Sequence, residues 1–357
     1  MARGLQDEFE NHVICLAHAG PQAAVIERAG APVHVVGLSH PAQALDGLLA
    51  IRRHVREIRP SVLQGWMYHG NLATLAARYA LGGNVAVSWN IRQSLDDIRG
   101  DKFVTRQFIR VGARLSRLPE AIIYNSSVSA SEHEAFGYCH RRREVILNGF
   151  EVDAVRPDPA RGAGARRRYG IPADSFLFAH LARWHPMKDH SNFVAAATAC
   201  AAEDEHCRFF LAGRDVASNV ARLISHLPHS VRSRFHIHDE VSDPVDVLQA
   251  ADALVVSSKR AEGFPNVLGE AMMTGTACIT TDVGESPNVV GDAGLVVPAA
   301  NSQALEQAMM RLVNDPALAP RLGRAGRERV ERLYDIKAVV SKYQALYRRL
   351  IEIGRTS

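Results

Sequence analysis

Cysteine is scarce in this sequence. Cys15, Cys139, Cys200, Cys207 and Cys278 show no zinc or redox spacing, and five residues cannot pair completely. That fits a reducing compartment better than a disulfide framework. No apolar run reaches the roughly 20 residues a membrane-spanning helix needs; the small-residue stretch Phe193–Ala202 is followed by acid. Excess charge is missing too, since 42 Lys and Arg against 38 Asp and Glu leave +4, too mild to argue for nucleic acid. The opening M-A-R-G-L-Q-D-E-F-E places charges where a signal peptide keeps its apolar region. There is no internal repeat and no low-complexity tract. No G-x-G-x-x-G follows any strand-like segment, which disfavours a two-lobed dehydrogenase. No carboxylate cluster for a divalent ion can be picked out.

What is present is ordinary for a globular protein, with 47% hydrophobic and 22% charged residues, and 357 residues suffice for two cores. Residues 1–10 read as the tail of a helix. Short apolar runs then alternate with helix-like segments. Strands are expected at His12–Leu16, Val33–Gly37, Val62–Gly65, Asn84–Trp89 and Ala121–Tyr124, with a turn at Gly20-Pro21. Helices are expected at Gln22–Ala29, Leu45–Arg59, Asn71–Tyr79 and Asp101–Leu118, and from about Ser129. Asn148-Gly149-Phe150 and the Pro- and Gly-dense R-P-D-P-A-R-G-A-G read as a domain boundary and linker. Beyond it, Phe176–Leu181 opens a second series of strands that includes Arg208–Ala212, Phe235–His238 and Leu295–Val297. Such alternation predicts an α/β protein with parallel sheets. The expected domains are 1–149, 150–334 and a closing helix at 335–357, whose Val339, Tyr343, Leu346 and Leu350 share one stripe.

The chain is organised around Ala253–Thr281, read as strand, loop, helix and strand. Pro265 suits the first helical position, and Gly275 the left-handed residue past the helix end. The helix would open at the carboxyl edge of a parallel sheet, where free amides and the helix dipole favour a phosphate. Gly263 would let that phosphate approach the backbone. Glu262 precedes the helix. Glu270 lies four residues after Asn266, on the same face and roughly 6 Å further along the axis. A diphosphate held there would set a sugar beside one carboxylate and a ribose beside the other. The same spacing also fits two surface glutamates on an ordinary helix.

Other candidates fall at strand ends as well. Arg183 and Lys188 follow Phe176–Leu181 and offer a forked grip and a point charge for phosphate, or are plain surface cations. Gly213-Arg214 follows the next strand, and Asp282-Val283-Gly284-Glu285 forms a loop near the same edge. In the first half, Gly65–His69 and Trp89–Arg92 sit at carboxyl ends of strands, where ligands bind. His69 faces an acceptor or is a structural histidine; Trp66, Tyr68 and Trp89 stack on a sugar or fill the core. His180, His185 and His190 are spaced by five, which suits neither a strand face nor a helix face, so metal ligation is not expected. In Asp101–Leu118 the stripe Val104, Phe108, Val111, Leu115 and Leu118 runs beside Lys102, Arg106, Arg110, Arg114 and Arg117. This helix contacts an anionic membrane surface or is a core helix with a solvated basic face. Arg141–Arg143 and Arg166–Arg168 leave the same choice.

E-G-F-P-N-V-L-G-E, residues 262–270, resembles the E-x(7)-E element of the retaining glycosyltransferases of family 4. The resemblance covers nearly the whole chain, most strongly Phe176–Pro298 and more loosely before Asn148. It implies the GT-B fold: two Rossmann-like domains with a cleft between them and a C-terminal helix crossing back to the first. It further implies that Glu262 sits over the donor sugar and Glu270 on the ribose. Gly263, Phe264, Pro265, Asn266 and Val267 would meet the phosphates, with Arg183 and Lys188 gripping the diphosphate. Asp239–Asp243 stands where the family packs the base, although Gly is common at the position of Asp239. The segments holding His69, Asn90 and Arg92 resemble those of members that build bacterial surface polysaccharide; other members have His where Asn90 stands.

The implied activity is retaining transfer of a sugar from a nucleoside diphosphate sugar to a hydroxyl of a saccharide acceptor. A lipid-linked acceptor in polysaccharide or lipopolysaccharide biosynthesis is expected, with no metal or cofactor, in the cytoplasm or peripheral on the inner membrane face. Arg183, Lys188 and the helix N-terminus would meet the charge on the departing diphosphate. Glu262 would face the positive charge on the sugar. Two alternatives stand. One is a non-transferring GT-B enzyme such as a nucleotide-sugar epimerase, separated by product analysis with and without acceptor. The other is an inactive donor-binding protein, suggested because family members open with a strand and a glycine-rich loop before their first helix. Here Met1 falls inside that helix and no Gly-Gly pair precedes it, so an N-terminal truncation is expected. An in-frame stop upstream with no strand-and-glycine coding would defeat that idea.

Overall fold

The structure, a computed structural model, describes residues 2–20, 22–38, 40, 43–95, 98 and 102–356. Pro21 of the expected turn and Asp101 at the head of the expected basic helix lie outside the described residues. The chain divides into two compact units, residues 1–147 with 336–357, and residues 148–335.

The first unit runs α1 (Ala2–Leu5), β1 (Val13–Cys15), α2 (Ala23–Arg28), β2 (Val33–Val35), α3 (Ala44–Ile58), β3 (Val62–Trp66), α4 (Met67–Ala80), β4 (Ala86–Ile91), α5 (Phe103–Leu115), β5 (Ala121–Tyr124), α6 (Ser127–Phe136) and β6 (Arg143–Val145). β1 and β2 form a two-stranded parallel sheet, and β3-β4-β5-β6 a four-stranded one. All six residues of β4 are buried, because both sheet faces are covered and the side chains alternate between them. Val87, Trp89 and Ile91 join Ile51, Tyr68 and Ile109 from α3, α4 and α5. Ala86 turns the other way, against the closing helix of the chain.

In the second unit come α7 (Pro159–Arg168), β7 (Phe176–Leu181), α8 (His190–Glu203), β8 (Cys207–Ala212), α9 (Val216–Ile224), α10 (His229–Arg232), β9 (Phe235–His238), α11 (Pro244–Ala250), β10 (Ala253–Val256), α12 (Asn266–Thr274), β11 (Ala277–Thr281), α13 (Ser286–Val290), β12 (Gly294–Val297), α14 (Ser302–Asn314) and α15 (Leu318–Leu333). Its sheet is parallel throughout, in the order β12-β11-β10-β7-β8-β9. Phe178, Phe193, Phe209, Val255 and Ile279 centre its core. The closing helix α16 (Ile336–Thr356) belongs to the first unit. Its stripe Val339, Tyr343, Leu346 and Leu350 is buried against Ala86, Ala121 and Ile123.

Three expectations need correction. The stretch read as a linker is mostly helix α7: the Asp158 side chain accepts from the Arg161 amide and Pro159 occupies the first turn. Proline marks a helix start there, because its missing N–H is an orphan in any case. α4 begins directly after β3, at Met67 with φ 60°, so Tyr68 and His69 are helical and not in a loop. Pro265 caps α12 with extended backbone (ψ 101°), and the helix proper starts at Asn266. Gly275 is left-handed, φ 74°, as expected.

Candidate functional site

In the second unit the chain lays down β7, β8 and β9 outward in one direction, then returns to place β10, β11 and β12 on the other side of β7. The order therefore reverses between β7 and β10. In open parallel sheets the crevice at such a reversal, outside the carboxyl ends of the strands, is where ligands bind. Arg183 and Lys188 follow β7, and Glu262 follows β10, so the topology brings these segments side by side.

Glu262 is the most constrained of the three. It is only 5% exposed, and Ala261 before it takes φ 61°, a conformation a non-glycine residue adopts only when its surroundings impose it. One oxygen, Oε1, accepts from both Lys188 Nζ and Ser258 Oγ. Its main-chain carbonyl accepts from the Glu285 amide at 3.2 Å. Gly284, at φ 56°, lies so close that a Cβ there would come within 1.7 Å of that carbonyl oxygen. Only glycine fits.

Lys188 is held from below. Ser257 Oγ lies 2.9 Å from the Lys188 carbonyl and 3.1 Å from that of Asp189, and donates to them. The 3.0 Å contact between Ser257 Oγ and His180 Nε2 must then be donated by the imidazole, which fixes its proton on Nε2. Burial, with His190 and Lys188 nearby, pushes His180 well below its usual range, consistent with a neutral ring. His190 Nε2 donates to the Ala182 carbonyl at 3.2 Å, and burial lowers it to about 4. The Met187 carbonyl accepts from the Lys259 amide at 2.9 Å, a second tie between the two loops. Two adjacent serines thus serve the two halves of one ion pair.

Around this pair, Arg183 is exposed, Gly213 half-buried and Arg214 exposed. Gly213, φ 152°, packs on the chain at Arg183: an added Cβ would stand 2.2 Å from the Ala182 carbonyl oxygen. Asn266 is exposed and Val267 half-buried at the head of α12, and Asn148 Nδ2 donates to Asn266 Oδ1 at 2.5 Å. Gly263 and Pro265 are buried. The Phe264 ring packs on Phe150 and Tyr334, at 6.1 and 5.4 Å, so its side chain serves the core. Glu270 is half-buried, and burial raises its carboxyl above the usual range.

The first-unit candidates divide differently. Asn90, expected on the acceptor side, lies inside β4 with its side chain fully buried, and its Nδ2 donates to Tyr343 Oη on α16 at 2.9 Å. It ties the closing helix to the sheet. Arg92 lies over the exposed Trp66 ring, 5.3 Å from its centroid, and bonds to Tyr343. His69 is exposed in the first turn of α4, its ring 4.0 Å from Phe108, and partial burial lowers its pKa. Trp89 and Tyr68 are core residues, Tyr68 bonded to His133 at 2.9 Å. Among the described residues no group of three or more His, Cys, Asp or Glu is placed to hold a metal ion, and no helix is long and apolar enough to cross a membrane.

Ser257, Ser258 and Asn148 are the residues sequence reasoning missed, while Gly284 was placed in its loop without its contact to Glu262. Two adjacent hydroxyls at the end of an apolar strand were the available signal for the serines. Nothing local marked Asn148, which meets Asn266 across 118 positions.

The sheet order and the charged residues at its switch point define a doubly wound, Rossmann-like α/β protein. Residues 164–329 match the profile of the glycosyl transferases group 1, and residues 1–154 that of glycosyltransferase family 4. The chain belongs to the family 4-type glycosyltransferases and has their GT-B fold. A D-inositol 3-phosphate glycosyltransferase of Saccharomonospora viridis is 30% identical over 193 residues, 51% of this chain and 44% of that protein. An N-acetyl-alpha-D-glucosaminyl L-malate synthase of Bacillus anthracis is 25% identical over 189 residues, 51% and 48%. The chain thus matches about half the length of these relatives. Among solved structures, Anabaena HepE in complex with UDP-glucose superposes with a TM-score of 0.84 at 18% identity, covering 98% of this chain and 93% of that one. WaaG, a glycosyltransferase involved in lipopolysaccharide biosynthesis, gives 0.73 at 15% identity, covering 96% and 92%.

Proposed function

We propose that this chain transfers a sugar, with retention of configuration, from a nucleoside diphosphate sugar to a hydroxyl of a lipid-linked saccharide. The observation that carries the reading is the meeting of Lys188 and Glu262 at the switch point, beside Arg183 and the head of α12. HepE, solved with UDP-glucose, and the relatives named as glycosyltransferases support it. Cleaving the glycosyl–phosphate bond builds negative charge on the diphosphate and positive charge on the sugar. Arg183, Lys188 and the first amides of α12 meet the former as fixed, preorganised charge. Glu262, pinned through one oxygen, presents its carboxylate to the sugar, and Glu270 accepts from ribose hydroxyls. Donor engagement must redirect Lys188 from Glu262 towards phosphate. This chemistry asks for no cofactor.

On the acceptor side His69 and Arg92 remain candidates, whereas Asn90 is committed to α16. α5 supports a membrane-borne acceptor. Its buried face is Ile109 and Gly112, while Val104 (57%), Val111 (39%) and Leu118 beyond its end (52%) are exposed beside Arg110 and Arg114. Of the apolar stripe expected from sequence, Phe108 and Leu115 pack against the core, and Val104, Val111 and Leu118 are left in solvent. Such a helix suits the surface of an anionic bilayer.

The test is a panel of nucleotide sugars screened by thermal shift, followed by product analysis with acceptor. A stabilising donor and an acceptor-dependent glycoside are expected. Glu262→Ala should lower kcat with little change in donor affinity, and unchanged turnover would refute the assignment.

A further inference from the structure

In the first unit, α3, α4 and α5 pack side by side, covering one face of the four-stranded sheet, while α16 packs on the other. α3 spends one side on that core, through Ile51 and Val55. The adjoining side, which meets the core face at Leu48, carries Leu45, Leu48 and Leu49, exposed by 69%, 48% and 54%. Arg52, Arg53 and Arg56 continue the same face and are also exposed. Positions 45, 48, 49, 52, 53 and 56 follow the helical repeat, so leucine and arginine form one continuous strip. Monomeric proteins rarely leave three leucines together in water without a use for them.

Two of the three arginines on this strip are uncommitted. Arg56 Nε donates to the Ala80 carbonyl at 3.3 Å, whereas Arg52 and Arg53 have no recorded partner among the described residues. A groove of about 380 Å³ opens between Leu49, Arg52, Arg53, Arg56 and Glu57. Glu57 and Asp46 are the acids of α3, and α4 and α5 carry none. A two-fold contact between copies would set arginine against arginine, which electrostatic complementarity opposes. An anionic bilayer satisfies both halves of the strip, taking leucine side chains at the acyl boundary and arginines at the phosphates.

We infer that α3 is a second membrane-docking element, its Leu45–Arg56 strip seating the first unit on anionic lipid together with α5. This rests on the membrane reading of α5 above and deepens it. One amphipathic helix leaves a protein free to roll about its axis; two in one layer fix which side faces the lipid.

Co-sedimentation of the full chain with phosphatidylglycerol-containing vesicles, and with phosphatidylcholine vesicles as reference, tests the inference. Binding to the anionic vesicles alone, weakened by salt, is expected. Each arginine near the surface contributes about five-fold in partition. R52Q/R53Q should thus lose about twenty-five-fold, comparable to R110Q/R114Q on α5. L48Q/L49Q should weaken binding at low and high salt alike. These side chains are exposed, so the donor thermal shift should not move, which verifies folding. If the α3 variants bind like the parent while the α5 variant does not, α3 is not a docking element and only the α5 reading survives. If the parent ignores anionic vesicles, both readings fail. If L48Q/L49Q instead turns a dimer into a monomer in solution, a second copy is the occupant and the inference is overturned.

Discussion

Lys188→Met isolates the ion pair at the switch point from any ligand. In the free protein the Glu262 side chain is 7% exposed and that of Lys188 21%. Removing one partner of a fully buried pair costs about 3–5 kcal/mol, because the remaining charge is stranded. Lys188 is partly open to solvent, and Ser258 still donates to the carboxylate, so a smaller penalty of about 2–3 kcal/mol is expected. A unit of this size moves by about 2–4 °C per kcal/mol. Donor-free calorimetry should therefore show its transition falling by about 4–12 °C. Glu262→Gln in the same background should recover much of the loss, since no charge is then stranded. The double-mutant cycle should give a coupling of about 1–3 kcal/mol. Additivity within about 0.5 kcal/mol would show that the pair is not held in solution, and the argument that donor binding must redirect Lys188 would fail with it.

Other variants probe the surroundings. Burial holds the Glu270 carboxyl above its ordinary value, so the free protein gains from its protonation at low pH and loses that gain as pH rises through the folded value. Glu270→Gln should therefore leave stability at neutral pH unchanged or higher while weakening donor binding. In the parent, donor affinity by titration calorimetry should fall on acidification at a higher pH than an ordinary carboxylate would give, and a flat profile would remove Glu270 from the ribose. Gly213→Ala sets a Cβ 2.2 Å from the Ala182 carbonyl oxygen. It should cost about 1–3 kcal/mol and at least about tenfold in donor affinity, since the backbone at Arg183 must yield. Tyr343→Phe leaves the buried Asn90 amide without its acceptor, and a fall of about 1–3 kcal/mol in thermal unfolding is expected with donor affinity intact. A donor defect in this variant would put Asn90 back among the binding residues.

Legibility differed between the units for a physical reason. In the second unit the strands are short, apolar and bounded by loops, and Phe176–Leu181 and Phe235–His238 were placed to the residue. Its site also lay close in sequence, since Glu262 and Glu270 share one loop and helix. Sequence did not reveal the order β12-β11-β10-β7-β8-β9, and that order is what brings Lys188 to Glu262. The helix α7 was hidden because proline and glycine were read as linker. Yet D-P with a capping aspartate is a helix-start pattern, and its arginines find carboxylates far away: Arg161 with Asp243 and Asp246, Arg166 with Asp252. Those pairings need the folded chain.

In the first unit a carboxyl strand end proved an insufficient criterion. β3 and β4 end close together, but α4 starts on the heels of β3. Gly65 lies so near Asn71 that a Cβ there would meet its Cα at 2.5 Å. The helix therefore lies against the strand, Asn71 Oδ1 accepts from the Asn90 amide at 3.2 Å and Asn90 Nδ2 donates to Tyr343 Oη, while Asn71 Nδ2, Asn90 Oδ1 and Trp89 Nε1 stay buried without a partner among the described residues. Tyr68, Trp89 and Asn90 are buried in the packing of this unit. What remains accessible is His69, the Trp66–Arg92 pair and the outward faces of α3 and α5. Under the proposed function, acceptor choice falls to those surfaces and donor handling to the switch-point loops. Substitutions at His69 or Arg92 should alter which acceptor is used without moving the donor thermal shift, and Lys188 or Glu270 variants should do the reverse.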